Sequence, residues 1–367
     1  MLERFGHGGD LWTAQESFGL PKEQFLDFSS NMNPLGPPPI VEELMARHWK
    51  DIVKYPDPAV RELRDKLSRK YGIPPESILV GNGAAELIDL IVRVLQPDIT
   101  GLARPSFSEY EEAIRNSRGS IHNMELQAKT SFVLQKAALM EASMKSDLLF
   151  LGHPNNPTGK LIPQMLLEQL VDSGKPLILD EAFIDFTVDE KERSMLRRAA
   201  IQPDLYVIRS MTKFYSIPGI RLGFIVAHPN RIRELAKLQV QWSVNYLAQL
   251  IGAAVLDDHA FENATHEWLR TEKPWLTEQL EQLGLHVVRS DVNFLLFAFS
   301  EASGIDAKQA QKHMGAQGIL IRDASLFQGL NQRYCRTAIR LRPENERLVT
   351  GLKQMIQELS ADKGGGV

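Results

Sequence analysis

Six short apolar runs, at residues 78–80, 99–103, 147–151, 177–179, 205–209 and 223–227, alternate with stretches whose apolar residues recur at helical spacing. This alternation is the strongest constraint on what the chain can fold into. The helical stretches lie at 86–95, 109–117, 162–173 and 195–200. Strands joined through helices predict βαβ units and a largely parallel sheet covered by helices. In such sheets a ligand sits beyond the carboxyl ends of the strands, so the residues that follow each run carry the functional information. Past residue 230 the pattern changes. Long helical segments at 231–256 and 261–283 precede strand candidates at 285–289 and 293–299, a helix at 308–317, strands at 320–322 and 334–339, and a last helix at 344–360. That order predicts a smaller α+β domain. The first 47 residues contain Pro34, Pro37, Pro38 and Pro39, which resist regular structure. The predicted organisation is an N-terminal arm at 1–47, a large domain at 48–255 and a small domain at 256–367.

A chain of 367 residues can bury a large core and make about two domains. Its 42 Lys and Arg against 46 Asp and Glu leave a formal charge of −4. No basic field is available for nucleic acid, so any anion must be held by a few local groups. The single cysteine, Cys335, excludes an internal disulfide and a cysteine-built metal site, and it fits a reducing compartment. The start, MLERFGHGGD, lacks the basic and apolar regions of a secretion signal, and no apolar run approaches the ~18 residues of a membrane span. A cytoplasmic protein without membrane or nucleic-acid partners is expected. His228, His286 and His313 show no ligand spacing, and no metal is expected.

Four clusters follow the strand candidates. Gly81-Asn82-Gly83 leads into a helix, where exposed N–H groups suit an anion, although a tight turn alone has the same composition. Pro154-Asn155-Asn156-Pro157-Thr158-Gly159 makes a rigid loop that can aim an Asn side chain at a ligand oxygen or use it as a backbone mimic. Asp180-Glu181-Ala182-Phe183 puts acids at the end of a buried strand, where they need a cation, a helix cap or an ion pair. Ser210-Met211-Thr212-Lys213 offers a candidate amine nucleophile, with Arg221 following in IRLGF. Any one lysine is more commonly a solvated surface group; the set and its order give this one weight.

Together with Tyr110 in PSFSEY and Arg340 in TAIRL, these motifs resemble the fold-type-I pyridoxal-phosphate (PLP) enzymes of the class I/II aminotransferase family, over nearly the whole chain. The resemblance implies an α/β fold: a large domain with a mostly parallel sheet sandwiched by helices, plus a smaller α+β domain. It implies that Lys213 holds the cofactor covalently and moves protons, and that Asp180 pairs with the ring N–H. It has Asn156 bond the ring 3-oxygen and Tyr110 stack on the ring, which makes Lys213, Asp180 and Tyr110 the catalytic set. The backbone of Gly83, Ala84 and Ala85, with Ser210 and Arg221, would take the cofactor phosphate. Tyr55, in KYPDP, resembles a tyrosine that reaches the phosphate of the neighbouring subunit, which implies a homodimer with shared sites. Arg340 resembles the arginine that clamps the substrate carboxylate. Phe183 departs from the pattern, because many relatives carry a tyrosine there whose hydroxyl also bonds the ring oxygen.

Two branches of the family share these motifs and an arginine pair, Arg322 and Arg340: the histidinol-phosphate aminotransferases and the L-threonine-O-3-phosphate decarboxylases of cobalamin biosynthesis. The start GHGGD and the segment FLDFSSNMNPLGPP resemble the decarboxylase branch, as do DEAFIDF, SMTKFYSIPGIRLGF and QWSVNYLA. A flexible tail with a solvated histidine is the plainer reading of His7-Gly8-Gly9. The decarboxylase likeness implies a phosphorylated amino-acid substrate held by His7, Gly8, Asn31, Asn156, Arg322 and Arg340. A transaminase acting on histidinol phosphate, and a catalytically inactive regulator, are the competing readings.

Overall fold

The computed structural model describes Leu2 and residues 8–364. By internal contacts the chain forms two compact units, one of residues 35–156 and 160–266, the other of residues 1–34, 157–159 and 267–367. The sequence boundaries at 47 and 255 differ from these. Residues 39–48 form a helix that packs on the helix Tyr246–Val255 of the larger unit. Pro39 opens that helix at a position whose N–H would be unpaired in any case, so the proline start of the segment favours a helix there.

The larger unit is built on a seven-stranded sheet. Its strands run, in spatial order, Ile78–Gly81, Gly223–Val226, Leu205–Ser210, Leu177–Asp180, Leu148–Gly152, Ile99–Arg104 and Ser120–Glu125. Gly223–Val226 runs opposite to the other six strands. The three central strands are buried at every position, which is why they read as unbroken apolar runs. On one face the helix Ala84–Leu95 packs Leu87, Ile88 and Ile91 against Phe150, Ile178, Tyr206 and Ile208. Strands Leu148–Gly152, Leu177–Asp180 and Leu205–Ser210 are parallel and adjacent, so the strand end at Asp180 and the loops carrying Asn156 and Lys213 all lie at one edge of the sheet.

Three elements of this unit have weak sequence signals. The edge strand Ser120–Glu125 buries only Met124 and has no apolar run. The helices Arg61–Tyr71 and Lys136–Lys145 bury two side chains each, Leu63 and Leu67 in one, Leu139 and Ala142 in the other. The long helix expected at 231–256 is two, Pro229–Leu238 and Tyr246–Val255. Between them Trp242 is left-handed, and Asn245 caps the second helix by accepting the Ala248 N–H at 2.8 Å.

The smaller unit has a four-stranded antiparallel sheet in the order Arg322–Asp323, Tyr334–Ala338, Phe294–Ala298, His286–Val288. A separate parallel pair joins Leu26–Asp27 to Ile319–Leu320. The helix Ala307–Ala316 starts with a capping box between Asp306 and Gln309. The chain ends in the helix Arg342–Gly364.

His153, fully buried after the strand Leu148–Gly152, pins the loop that follows. Its Nδ1 accepts the Ile162 N–H at 3.2 Å, and Nε2 faces the Arg193 carbonyl at 3.3 Å. This arrangement needs the neutral ring, and burial lowers its pKa from 6.5 to about 4. A depressed folded-state pKa contributes stability that is complete above the unfolded value and is lost as pH falls towards the folded one. Stability is therefore expected to fall by about 3 kcal/mol between roughly pH 6.5 and pH 4 from this group alone. His153→Gln, which keeps a donor and an acceptor but does not titrate, should show a shallower loss in denaturation measured across that range. Identical slopes for both proteins would disprove the assignment.

Candidate active site

Asp180 ends the strand Leu177–Asp180 as a buried carboxylate. Its Oδ2 accepts the Tyr110 hydroxyl at 2.6 Å and its Oδ1 accepts the Ala182 N–H at 2.9 Å. Burial raises its pKa, and the two donors and the charge of Lys213 pull it back only in part. Tyr110 is buried, with its ring stacked on Phe150 at 4.1 Å between centroids. Burial, then the nearby Asp180 charge, push the Tyr110 hydroxyl well above its ordinary range, so it remains a donor. Both donors to Asp180 are thus neutral. A carboxylate in this state gains most from a ligand that brings a cationic N–H.

Lys213 lies in the turn after the strand Leu205–Ser210, half-buried, with the Ile217 N–H bonded to the Thr212 carbonyl at 3.0 Å across it. Ser210 Oγ and Thr212 Oγ1 are 2.8 Å apart. Asn156 follows Asn155, which anchors the loop by donating Nδ2 to the Pro105 carbonyl at 3.1 Å and its backbone N–H to the Lys160 carbonyl at 2.8 Å. Phe183 is buried, with its ring stacked on Phe186 at 6.5 Å. Its phenyl ring has no hydroxyl to offer a ligand.

An anion seat is built at the start of the helix Ala84–Leu95. Gly83 caps it with φ of +86°, and Ala84 and Ala85 present the first-turn N–H groups. A Cβ on Gly83 would lie 2.7 Å from Arg221 Nη2, so the guanidinium rests against the glycine backbone. Helix N–H groups beside a guanidinium favour a phosphate. Gly83→Ala would both strain the left-handed backbone and displace Arg221, and it is expected to weaken binding of a phosphate-bearing cofactor about tenfold or more. A cofactor titration followed by absorbance checks this; unchanged affinity would remove Gly83 from the seat. Tyr55 lies 82% exposed in this unit, with its ring 5.1 Å from that of Trp242.

In the smaller unit, Arg322 and Arg336 are register partners on adjacent strands, 5% and 6% exposed. Both guanidiniums lie against Phe327, at 5.6 and 6.0 Å from the ring centroid. Two guanidiniums side by side concentrate positive charge and planar donors at one place. Arg336 Nη2 donates to the Ser29 carbonyl at 2.9 Å, and Gly8 packs so closely on that carbonyl that a Cβ would be 2.3 Å from it. Asn31 is buried, and its Oδ1 has no hydrogen-bond partner among the described residues. Arg340 is placed differently. Its guanidinium donates to Glu344 at 2.8 Å and to the Asp27 carbonyl at 3.2 Å. The structure therefore puts Arg336, which the motif reading passed over, beside Arg322. His7 lies outside the described residues.

Residues 23–352 match the family model of aminotransferase class I and II. The chain belongs to this family. It is 38% identical to the threonine-phosphate decarboxylase of Salmonella typhimurium, over 95% of this chain and 96% of that one. Among solved structures, the histidinol-phosphate aminotransferase of Clostridium acetobutylicum has a TM-score of 0.85 at 27% identity, covering 91% of this chain and 99% of that one. The L-threonine-O-3-phosphate decarboxylase of Porphyromonas gingivalis has a TM-score of 0.80 at 25% identity, covering 90% and 99%. The backbone of this aminotransferase-family chain is thus common to both activities, and the choice between them rests on side chains.

The residues present fit the PLP expected for the family. The anion seat at Gly83 and Arg221 suits its phosphate, and the buried Asp180 carboxylate suits its protonated ring nitrogen. A half-buried lysine stands close enough to Asp180 for its charge to act on that group.

Proposed function

We propose that this protein is a PLP-dependent decarboxylase that converts L-threonine O-3-phosphate to (R)-1-amino-2-propanol O-2-phosphate and CO2, as a step of cobalamin biosynthesis. The observation that carries this reading is the 38% identity to the Salmonella typhimurium threonine-phosphate decarboxylase, sustained over nearly the whole of both chains. The pair of buried arginines supports it, because two guanidiniums suit a substrate with a phosphate and a carboxylate.

When bound, PLP supplies a ring that accepts the electron pair left behind as a bond to the substrate Cα breaks. The chain's own residues do the rest. Asp180 holds a proton on the ring nitrogen. Arg221, Ser210 and the N–H groups of Ala84 and Ala85 hold the cofactor phosphate. Tyr110 keeps Asp180 oriented through its 2.6 Å hydrogen bond. Asn156 is the donor to the ring 3-oxygen, a task that Phe183 cannot share. Arg322 and Arg336, with Gly8, Asn31 and His7, bind the substrate anions, and Arg340 braces the smaller unit against Glu344. By gripping the phosphate, these residues would orient the substrate so that its carboxylate, rather than its Cα hydrogen, is the group that leaves. The carboxylate leaves as CO2, and Lys213 Nζ delivers a proton to Cα in its place.

The protein works as a homodimer in this reading. The exposed Tyr55–Trp242 pair, with exposed Trp49, Ile52, Val53 and Val240 nearby in sequence, marks the surface a second copy would cover. In this reading the enzyme is cytoplasmic; among the described residues no helix is long and apolar enough to cross a membrane.

The test is direct. Purified protein given PLP and L-threonine O-3-phosphate should release CO2. Histidinol phosphate with 2-oxoglutarate should give no glutamate. Glutamate formation without CO2 release would replace this reading with the aminotransferase one.

A further inference from the structure

The strand ends at Asp180 and Ser210 are tied together from behind by one buried arginine. Side chains alternate along a strand, so Arg209 points away from the face of Ser210, and Glu181 away from that of Asp180. Arg209 and Glu181 are 1% and 0% exposed. Arg209 donates Nε to Glu181 Oε2 at 2.9 Å, Nη1 to Asp185 Oδ1 at 2.8 Å, and Nη2 to Ser194 Oγ at 3.0 Å and to Glu190. Glu181 is further held by the Ser194 hydroxyl at 2.7 Å and the Met195 N–H at 2.8 Å. The Tyr71 ring closes one side of the guanidinium at 5.4 Å. The backbone repeats the link, with the Glu181 N–H bonded to the Ile208 carbonyl at 2.8 Å.

We propose that Arg209 is a positioning residue for the reaction: by gripping Glu181 it fixes the distance between Asp180 and the Ser210–Lys213 turn. The inference rests on the reading of Asp180 and Lys213 as the pair that holds PLP. Asp180 is one residue from Glu181, and Ser210 is one residue from Arg209, so a shift in the clamp moves both. The planar guanidinium fork sets direction as well as charge, which an ammonium group cannot do.

The test compares wild type with Glu181→Gln and Arg209→Lys. Each protein is freed of cofactor and titrated with PLP, and the visible band of the bound cofactor is then followed across pH. Both variants are expected to bind PLP about tenfold more weakly and to shift the pH midpoint of the band by at least about half a unit, since a misplacement near 1 Å is enough for such effects. Ser194→Ala, which removes the hydroxyl's bonds to Glu181, Arg209 and the Leu196 N–H but leaves the charges, should show the same changes in smaller measure and serves if either variant fails to fold. Lower melting temperatures with wild-type affinity and midpoint would reduce Arg209 to a structural brace and overturn the proposal. A wild-type protein that takes up no PLP would overturn the cofactor reading, and this one with it.

Discussion

Lys213→Ala is expected to abolish the visible absorption band of the PLP-loaded protein and to lower CO2 release from L-threonine O-3-phosphate by at least about 10⁴-fold. The two effects have one origin. In the proposed reading the lysine amine is both the covalent tether of the cofactor and the group that gives a proton to Cα. Arginine at this position would keep a charge but could do neither job at neutral pH. The turn that presents Lys213 is held by backbone bonds from Ile217 to Thr212 and from Ser216 to Lys213, so truncation of the side chain should leave the loop in place. The Gly83–Arg221 seat is equally untouched, and the variant is expected to retain weak, non-covalent affinity for PLP. A band that persists in the variant would show that another amine holds the cofactor.

The parts of this architecture that were legible in the sequence are those that burial makes uniform. Strands such as Leu148–Gly152 and Leu205–Ser210 are covered on both faces, so they appear as apolar runs, and the polar clusters after them mark one sheet edge. The strand Ser120–Glu125 has the same backbone but an edge position, and its half-wet residues carry no such signal. The break before Tyr246 has a trace in the sequence, because Val240, Trp242 and Val244 recur every two residues and so depart from helical spacing. The left-handed Trp242 and the Asn245 cap fix where it falls. The arginines illustrate a different limit. Arg336 and Arg340 stand four residues apart in one motif, and nothing local says which of them accompanies Arg322. Antiparallel register decides it, by setting Arg322 opposite Arg336 while Arg340 runs on to Glu344. Arg209 reads in sequence as the polar end of a strand, and its role depends on acids 19 to 28 residues away in the chain.

Asp180→Asn separates what the site needs for chemistry from what it needs for folding. The carboxylate is buried, and its two oxygens are met by neutral donors, Tyr110 and the Ala182 N–H. Burial is the largest influence on it and acts against ionisation, so the site bears a charge that the empty fold does not favour. An amide spares the fold the buried charge and costs it one hydrogen bond, the one that the Tyr110 hydroxyl donates. Its oxygen can accept from Ala182, and its NH2 can donate to the Tyr110 oxygen once that hydroxyl turns. The cofactor-free variant is therefore expected to melt at the wild-type temperature or above it, an instance of function opposing stability. Turnover should move the other way. A neutral amide cannot keep a proton on the ring nitrogen, and the loss of that fixed charge is expected to cost about 10³-fold in decarboxylation. PLP should still bind through Arg221 and Lys213. Calorimetric melting of the cofactor-free protein and CO2 release from the loaded one measure the two halves independently. Turnover within tenfold of wild type would show that Asp180 is not the counter-charge of the ring, whatever its effect on stability.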